Sequence, residues 1–403
     1  MRQIMKGLVE KEKDMPQSIA STLGIKPPVV FASYRIADFP RAGLRSHPWM
    51  ITKTQAVLLN AYDLIGNSRT RLAAAELKKR KCSLAEYIEF TGPVMLDSGA
   101  FNFLLHQEIS IKPSDVLDMA VQTKANICVV LDHPFPPTSS AQEIAIRLKR
   151  TNDNTRTMVK RLERLPKVPK NFELMPVLHG HDEKTLKKAL RGIKSTIGGD
   201  PTIVGIGSLA PLAQNGNKRT VVDIIGIVRS LLPEAHIHCF SMGSPLLMLL
   251  AFYCGADSVD SQTWIMSAAF KQVQLPGFYM TRLSEREAQN NPKYAKLRKR
   301  FADHLLGLCQ REKFAVKNWD TGHLWPIDNR REALKYLDFL MDRDGVNNIH
   351  RRACHNLYSM NFEAERVRWV KTHGQSVFED FVQSRLHSTL YKQVFEHAKN
   401  KHG

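Results

Sequence analysis

Short apolar runs alternate with longer amphipathic stretches along most of the chain. V-V-F-A-S at Val29 to Ser33 and Q-A-V-L-L at Gln55 to Leu59 are buried-strand signals. From Gly92 the rhythm becomes regular. P-V-M-L-D ends at Asp97, I-C-V-V-L-D at Asp132, F-E-L-M-P-V-L-H-G runs to His179 and Gly180, T-I-V-G-I-G-S ends at Ser208, I-H-C-F-S-M-G at Gly243 and D-S-V-D at Asp260. Helical periodicity fills the intervals, over Ser114 to Lys124, Ala141 to Leu165, Glu183 to Ile197 and Thr220 to Leu232. Ser244 and Pro245 suit the N-cap and first turn of one further apolar helix, and Gly255 suits its end. Such β-α alternation means a parallel sheet. Eight strand signals are the number that closes a TIM-like (β/α)8 barrel, an α/β fold; an open doubly wound sheet is the alternative.

After Trp264 the pattern breaks. Residues 266–350 show no clear strand alternation, and they carry the basic run K-L-R-K-R from Lys296 to Arg300 and a Trp/Pro loop from Trp319 to Pro326. Helical periodicity returns at His355 and again from Val377 to His397. The expected organisation is a barrel core over 27–265, an inserted subdomain over 266–350, and a closing barrel helix with a C-terminal helix over 351–403.

Composition adds a partner class. The chain has 58 Lys and Arg against 39 Asp and Glu, a formal charge of +19, which favours a polyanion such as nucleic acid. The basic stretch from Arg69 to Tyr87 reads as a solvated helix face, and Lys296, Arg298, Lys299 and Arg300 are the candidates for phosphate contacts. The longest apolar run, Pro245 to Ala256, falls short of the roughly 20 residues of a spanning helix, so a cytoplasmic protein without a membrane partner is expected. Six scattered cysteines with no C-x-x-C pair read as reduced thiols.

Candidate chemistry sits at the strand ends: Asp97-Ser98, Asp132-His133, His179-Gly180 and Asp260-Ser261. A cap or salt bridge explains one such aspartate. Three at one mouth of a barrel point to catalysis, because each must be solvated or paired there. Two carboxylates facing one substrate can serve as nucleophile and as acid or base when their environments differ.

These residues carry a resemblance. D-S-G-A-F at Asp97 is similar to the D-S-G-G-F/Y motif of the tRNA-guanine transglycosylases, which exchange guanine for a 7-deazaguanine. N-A-Y-D-L at Asn60, V-L-H-G at Val177, G-I-G-S-L at Gly205, F-S-M-G-S-P at Phe240, G-A-D-S-V-D-S at Gly255 and C-H-N-L-Y at Cys354 resemble further motifs of that family, in the same order. The resemblance implies a (β/α)8 barrel with an inserted subdomain related to the family's zinc-binding one. It implies Asp260 as the nucleophile that attacks C1′ and Asp97 as the group that deprotonates the incoming base. It assigns base recognition to Asp132, Ser98, His179 and the Gly207-Ser208-Leu209 backbone, and makes Phe101, Met242 and Gly243 the walls beside the base. A flat base held between such walls must first leave its stack.

The chain departs from the family pattern in two places. The cysteine triplet of the zinc site is absent, leaving Cys309 and His355 as an incomplete metal site, with His304, His323, His350 and Cys354 as substitutes. After Asp260 the family's basic, tRNA-engaging segment is replaced by S-Q-T-W. That replacement makes the chain resemble the DNA-directed branch, which inserts 7-cyano-7-deazaguanine (preQ0) into DNA as part of a DNA-modification system with helper proteins. The expectation is therefore a DNA-guanine transglycosylase. The alternatives are a tRNA-guanine transglycosylase with diverged recognition and a non-catalytic nucleic-acid-binding barrel.

Overall fold

The computed structural model describes residues 24–36, 44–65, 71–105, 111–282, 292–341 and 345–402. Nine parallel segments form the main sheet: β1 Val29–Ser33, β2 Ala56–Asn60, β3 Val94–Asp97, β4 Ile127–Val129, β5 Glu173–Met175, β6 Val177–Leu178, β7 Ile203–Ile206, β8 His236–Cys239 and β9 Ser258–Ser261. Their order is β5-β4-β3-β2-β1-β9-β8-β7-β6. The two ends of that order are halves of one extended segment divided at Pro176, whose nitrogen has no hydrogen to give. Its carbonyl still accepts from Gly205 N–H at 2.9 Å. The sheet therefore curls back on itself as a barrel of eight strands interrupted only there, in agreement with the expected TIM-like fold.

Strand parity sorts the side chains into two cores. Val29, Phe31, Ala56, Leu58, Met95, Ile127, Val129, Met175, Val177 and Ile203 point inward and fill the barrel. Their neighbours Val30, Ala32, Val57, Leu59, Leu96, Cys128, Val204, Ile206, Ile237 and Cys239 point outward beneath the surrounding helices. Those helices include Pro113–Gln122, Ala141–Glu163, Glu183–Ile197, Lys218–Leu231 and Pro245–Tyr253. Ser244 is the N-cap of the last of these, with Pro245 in its first turn, and Gly255 follows its end at φ +102°.

A second core lies beyond the barrel. Helices Pro292–Glu312 and Arg330–Met341 pack with a hairpin of β10 Gln272–Leu275 and β11 Phe278–Arg282 around Phe301, Phe314, Trp319, Tyr336 and Leu337. The hairpin departs from the expectation of no strands after Trp264. Its pattern is only four residues long on the first strand, but Pro276-Gly277 turns the chain, with Gly277 at φ +66° where a left-handed conformation is required. Helix Gly345–Lys371 joins the two cores. It sends Ala353, Leu357, Met360, Ala364 and Val367 into the barrel shell, and Cys354, Tyr358 and Phe362 into the second core. Among the described residues no helix is long and apolar enough to cross a membrane.

An ion cluster ties the C-terminal helices together. Arg385, 6% exposed, donates to Glu312 at 2.7 Å and to Glu363 at 3.0 Å. Glu363 is 2% exposed; burial first, and then the neighbouring Glu312 carboxylate, push its carboxyl upward, while Arg385 opposes them. Taking away one partner of a buried pair strands the other charge. Arg385→Ala is expected to cost about 3–5 kcal/mol, read as a lower midpoint in denaturant unfolding.

Candidate active site

Parallel closure delivers three carboxylates to one mouth of the barrel. Asp97 is the last residue of β3, Asp132 follows β4 by three residues, and Asp260 lies in β9 opposite Phe31 of β1. All three line a cavity of about 880 Å³, together with Phe101, Gly207, Ser208, Leu209 and Gly243. A space of this size lies in the range of small-molecule and nucleotide sites. Arg35, Asn60, Tyr62, Phe240, Gln262 and Met266 also line it; Asn60, Tyr62, Phe240 and Gln262 lie in stretches singled out in the sequence, but none of the six was given a role there. Ser98 and His179 are fully buried behind the cavity wall. Met242 is fully buried in the shell between strands and helices and does not line the cavity; Phe240, two residues earlier, does.

Local backbone geometry explains the motif residues. Gly99 has φ +83°, and a Cβ there would run into Asn60 and Tyr62, so D-S-G turns tightly against N-A-Y. The turn lets Gly99 N–H reach Asp97 Oδ2 at 3.2 Å. At Gly207 a Cβ would strike the His179 ring, which places that ring directly against the β7 end. Ser208 and Ser241, just past the C-terminal ends of β7 and β8, both take φ +62°. Left-handed backbone at such residues costs on the order of 1 kcal/mol or more and gathers at functional sites. Here it aims Ser241 N–H at Asp260 Oδ1, 2.7 Å away.

Asp132 is held from behind. Its Oδ2 lies 2.8 Å from His179 Nε2, its Oδ1 accepts from Ser98 Oγ at 3.4 Å, and His179 Nδ1 is 2.9 Å from Ser208 Oγ. Ser208 Oγ also accepts from Phe135 N–H at 3.2 Å, so one hydroxyl ties the His179 ring to the loop after β4. Asp97 is the strongly perturbed acid. Burial first, then the carboxylates of Asp132 and Asp260, push it from the ordinary 3.8 up to about 8. At neutral pH it therefore carries a proton. His238, inside the barrel below, brings its Nε2 to 3.5 Å from Asp260 Oδ1. Sequence parity could have flagged it, since His236, His238 and Phe240 alternate on the inward face of one strand.

The expected metal site is corrected by the structure. Tyr336 O–H lies 2.8 Å from His355 Nδ1, and His355 Nε2 lies 2.9 Å from the Gln274 carbonyl. Trp319 Nε1–H in turn donates to Tyr336 at 2.6 Å. Both ring nitrogens of His355 are thus taken by protein, inside an aromatic core. Cys309 belongs to the same core, where burial pushes its thiol up to about 12. Cys354, buried in the second core, has its Sγ 3.7 Å from His350 Nε2, and His304 is bound to the Pro276 carbonyl at 2.6 Å. Among the described residues no group of three or more His, Cys, Asp or Glu could hold a metal ion. The residues present do not fit zinc. The basic run lies elsewhere too: Lys296, Lys299 and Arg300 are exposed on helix Pro292–Glu312, Arg298 pairs with Asp338, and none of the four lines the cavity.

A parallel barrel with a proton-bearing acid beside a pinned carboxylate at its mouth has the layout of a barrel enzyme, whose site lies at the C-terminal ends of the strands. Comparison with known proteins makes the class specific. Residues 43–302 match the family described as TGT, queuine tRNA-ribosyltransferase, and the chain belongs to that family of transglycosylases. It is 29% identical over 218 residues to a tRNA-guanine(15) transglycosylase of Archaeoglobus fulgidus, covering 53% of this chain and 42% of that protein. It is 25% identical over 327 residues to one of Methanococcus aeolicus (70% and 48%), and 27% over 219 residues to one of Methanothermobacter thermautotrophicus (53% and 31%). The chain thus spans less than half the length of these relatives.

These relatives are named for tRNA, which overturns the expected DNA substrate and, with it, preQ0 insertion into DNA and a DNA-modification system with helper proteins. The structure shows why S-Q-T-W misled. Thr263–Ala269 is a helix whose Trp264 is fully buried, donates Nε1–H to Ser33 O at 3.1 Å and receives Asn356 Nδ2–H on its own carbonyl at 3.1 Å. Trp264 therefore answers to packing beside the helix Gly345–Lys371, while Gln262 and Met266 of the same segment face the cavity.

Two measurements follow from this geometry. Asp97 in the folded protein keeps its proton up to about pH 8, whereas the unfolded chain releases it near the ordinary 3.8. Its contribution to stability is therefore full at low pH and lost as pH rises through that window, with a ceiling of about 1.4 kcal/mol per pH unit that cavity water reduces. Denaturant titrations of wild type and Asp97→Asn between pH 4 and pH 9 should differ in slope accordingly, the variant being the flatter. Chelator treatment should leave the melting temperature unchanged, while Tyr336→Phe, which breaks the Trp319–Tyr336–His355 chain, should lower stability by about 1–3 kcal/mol.

Proposed function

We propose that this protein exchanges a guanine base in tRNA for a 7-deazaguanine through a covalent glycosyl-aspartate. The observation that carries the reading is the pairing of Asp260, pinned through one oxygen by Ser241 N–H, with an Asp97 that holds its proton at neutral pH. Asp260 attacks C1′ of the target nucleoside, a C1′–O bond forms and the C1′–N9 bond breaks. The bonding electrons pass into the departing guanine, and Asp97 supplies its proton. The incoming base then gives its N9 proton to Asp97 and attacks C1′, which releases Asp260 and restores the starting protonation state. Asp132, oriented by His179 and Ser98, accepts the N–H donors on the base edge. Phe101, 45% exposed at the rim, and Phe240 on the wall provide stacking surfaces for a base withdrawn from its helix.

In this reading residues 27–265 perform the chemistry and the second core is a platform for the polynucleotide. The charge of +19 supports an electrostatic footprint on phosphates, with Lys296, Lys299 and Arg300 as the exposed candidates and Arg298 beside them in its ion pair. The relatives' names make guanine 15 the first tRNA position to assay.

Full-length protein incubated with tRNA and a radiolabelled 7-deazaguanine should transfer the label into tRNA. Asp260→Asn should abolish transfer and leave no denaturation-resistant protein–tRNA adduct. If wild-type protein never labels tRNA, the proposal fails; an adduct that survives in the variant would move the nucleophile elsewhere. Replacing Lys296, Lys299 and Arg300 together should weaken tRNA binding and lower the slope of log K against log salt by about 2–3.

A further inference from the structure

Below Asp260 the barrel interior is apolar except for one polar strip along two neighbouring strands. β8 turns His236 and His238 inward, β9 turns Ser258 and Asp260 inward, and His238 pairs in register with Ser258. Ser258 Oγ lies 2.8 Å from His236 Nε2 and 2.9 Å from His238 Nδ1. His238 is fully buried, edge-on to both Phe31 and Phe240, and its Nε2 makes no hydrogen bond in the resting structure while lying 3.5 Å from Asp260 Oδ1.

One arrangement of protons gives Asp260 a donor from a neutral ring. Ser258 has a single hydroxyl proton to give, so at most one of its two histidines accepts from it. If His238 donated from Nδ1, a neutral ring would turn the lone pair of Nε2 toward the Asp260 carboxylate. If His236 donates instead, Ser258 passes its proton to His238 Nδ1, and His238 turns an N–H toward that carboxylate. Burial pushes His236 down to about 4, so the far end of the strip is a neutral ring with one proton to place.

We propose that His236, Ser258 and His238 form a buried relay that positions Asp260 for attack on C1′, with His238 as the positioning residue that offers Nε2–H to Oδ1. The inference rests on Asp260 being the nucleophile of the function proposed above. Ser241 N–H and His238 Nε2–H address the same oxygen, so the carboxylate is held through Oδ1, and Oδ2 has no donor among the described residues. That leaves Oδ2 as the attacking atom. The 3.5 Å separation is loose in the resting site; a preorganised donor there keeps Oδ2 turned toward C1′ during attack and meets the charge that returns when Asp260 leaves in the second step.

Three variants and one spectrum test this. His238→Phe, which keeps the aromatic packing against Phe31 and Phe240, should lower kcat and the rate of adduct formation roughly 100-fold. KM for tRNA should stay within about threefold, the pattern of an interaction made in the transition state alone. His238→Gln, whose amide N–H can occupy the place of Nε2, should recover much of the loss, and Ser258→Ala should fall between the two. ¹⁵N-histidine spectra of the full chain should show His238 protonated on Nε2, and Ser258→Ala should shift that tautomer. Wild-type activity with an equally active His238→Phe overturns the relay and leaves the proposed function standing. Spectra that put the His238 proton on Nδ1 overturn the relay whatever the exchange assay shows. A wild type that exchanges no base, with the spectra as expected, removes the proposed function and with it the catalytic purpose assigned here.

Discussion

Asp97, Asp132 and Asp260 share one end of a barrel whose interior is apolar, and the cost of keeping three carboxylates there shapes their surroundings. Each is handled by a different device. Asp97 takes up a proton, because burial and its two neighbours raise it to about 8. Asp132 leans on His179, which is itself set by Ser208. Asp260 is fastened by a backbone N–H that Ser241 can present only from a left-handed conformation. The strained serines, the tight glycines and the buried histidines all serve to accommodate this charge. The same repulsion that makes the cluster costly gives its carboxyl groups different protonation, the separation on which the proposed two-carboxylate chemistry relies.

The second core works by other means. Where the family resemblance implied a zinc site, the chain places Trp319, Tyr336 and His355 in a hydrogen-bonded line that ends on the Gln274 carbonyl. A neutral chain of donors and acceptors, buried among aromatics, gives the local order that metal coordination would otherwise give. Arg385 adds a charged clasp between Glu312 and Glu363, and the long helix Gly345–Lys371 carries one face in each core. The hairpin and the helix after Asp260 lean on that same helix through Asn356, which bonds to Gln274, Trp264 and Gln272. Trp264 lies four residues after Asp260, so these bonds join the second core to the end of β9.

Much of the fold was legible because a parallel barrel repeats one simple pattern. Strands such as I-C-V-V-L are buried on both faces and read as continuous apolar runs, and their helices read at a 3.6-residue period. The hairpin at Gln272–Arg282 was missed because four residues of alternation are too few to register without the Pro276-Gly277 turn beside them. The site was legible where a motif had a steric cause, as at Gly99 and Gly207. It was illegible where the role came from the opposite strand. Phe240, rather than Met242, faces the cavity although the two share a parity, because the strand ends at Cys239 and the left-handed Ser241 lies between them, and His238 matters through its distance to a carboxylate on another strand.

The sequence by itself determined the β-α rhythm, the acidic strand ends and their order, since these depend on local periodicity and on residue type. It also determined the family, because many short motifs in one order are hard to produce otherwise. Tertiary structure alone decided three matters: which carboxylate holds a proton, whether His355 has a nitrogen free for metal, and what S-Q-T-W is for. Desolvation, hydrogen-bond saturation and side-chain burial depend on what surrounds a residue in space. Trp264 shows the point most plainly, for a substitution that looked like a change of substrate proved to be a tryptophan fitted beneath Ser33 and Asn356.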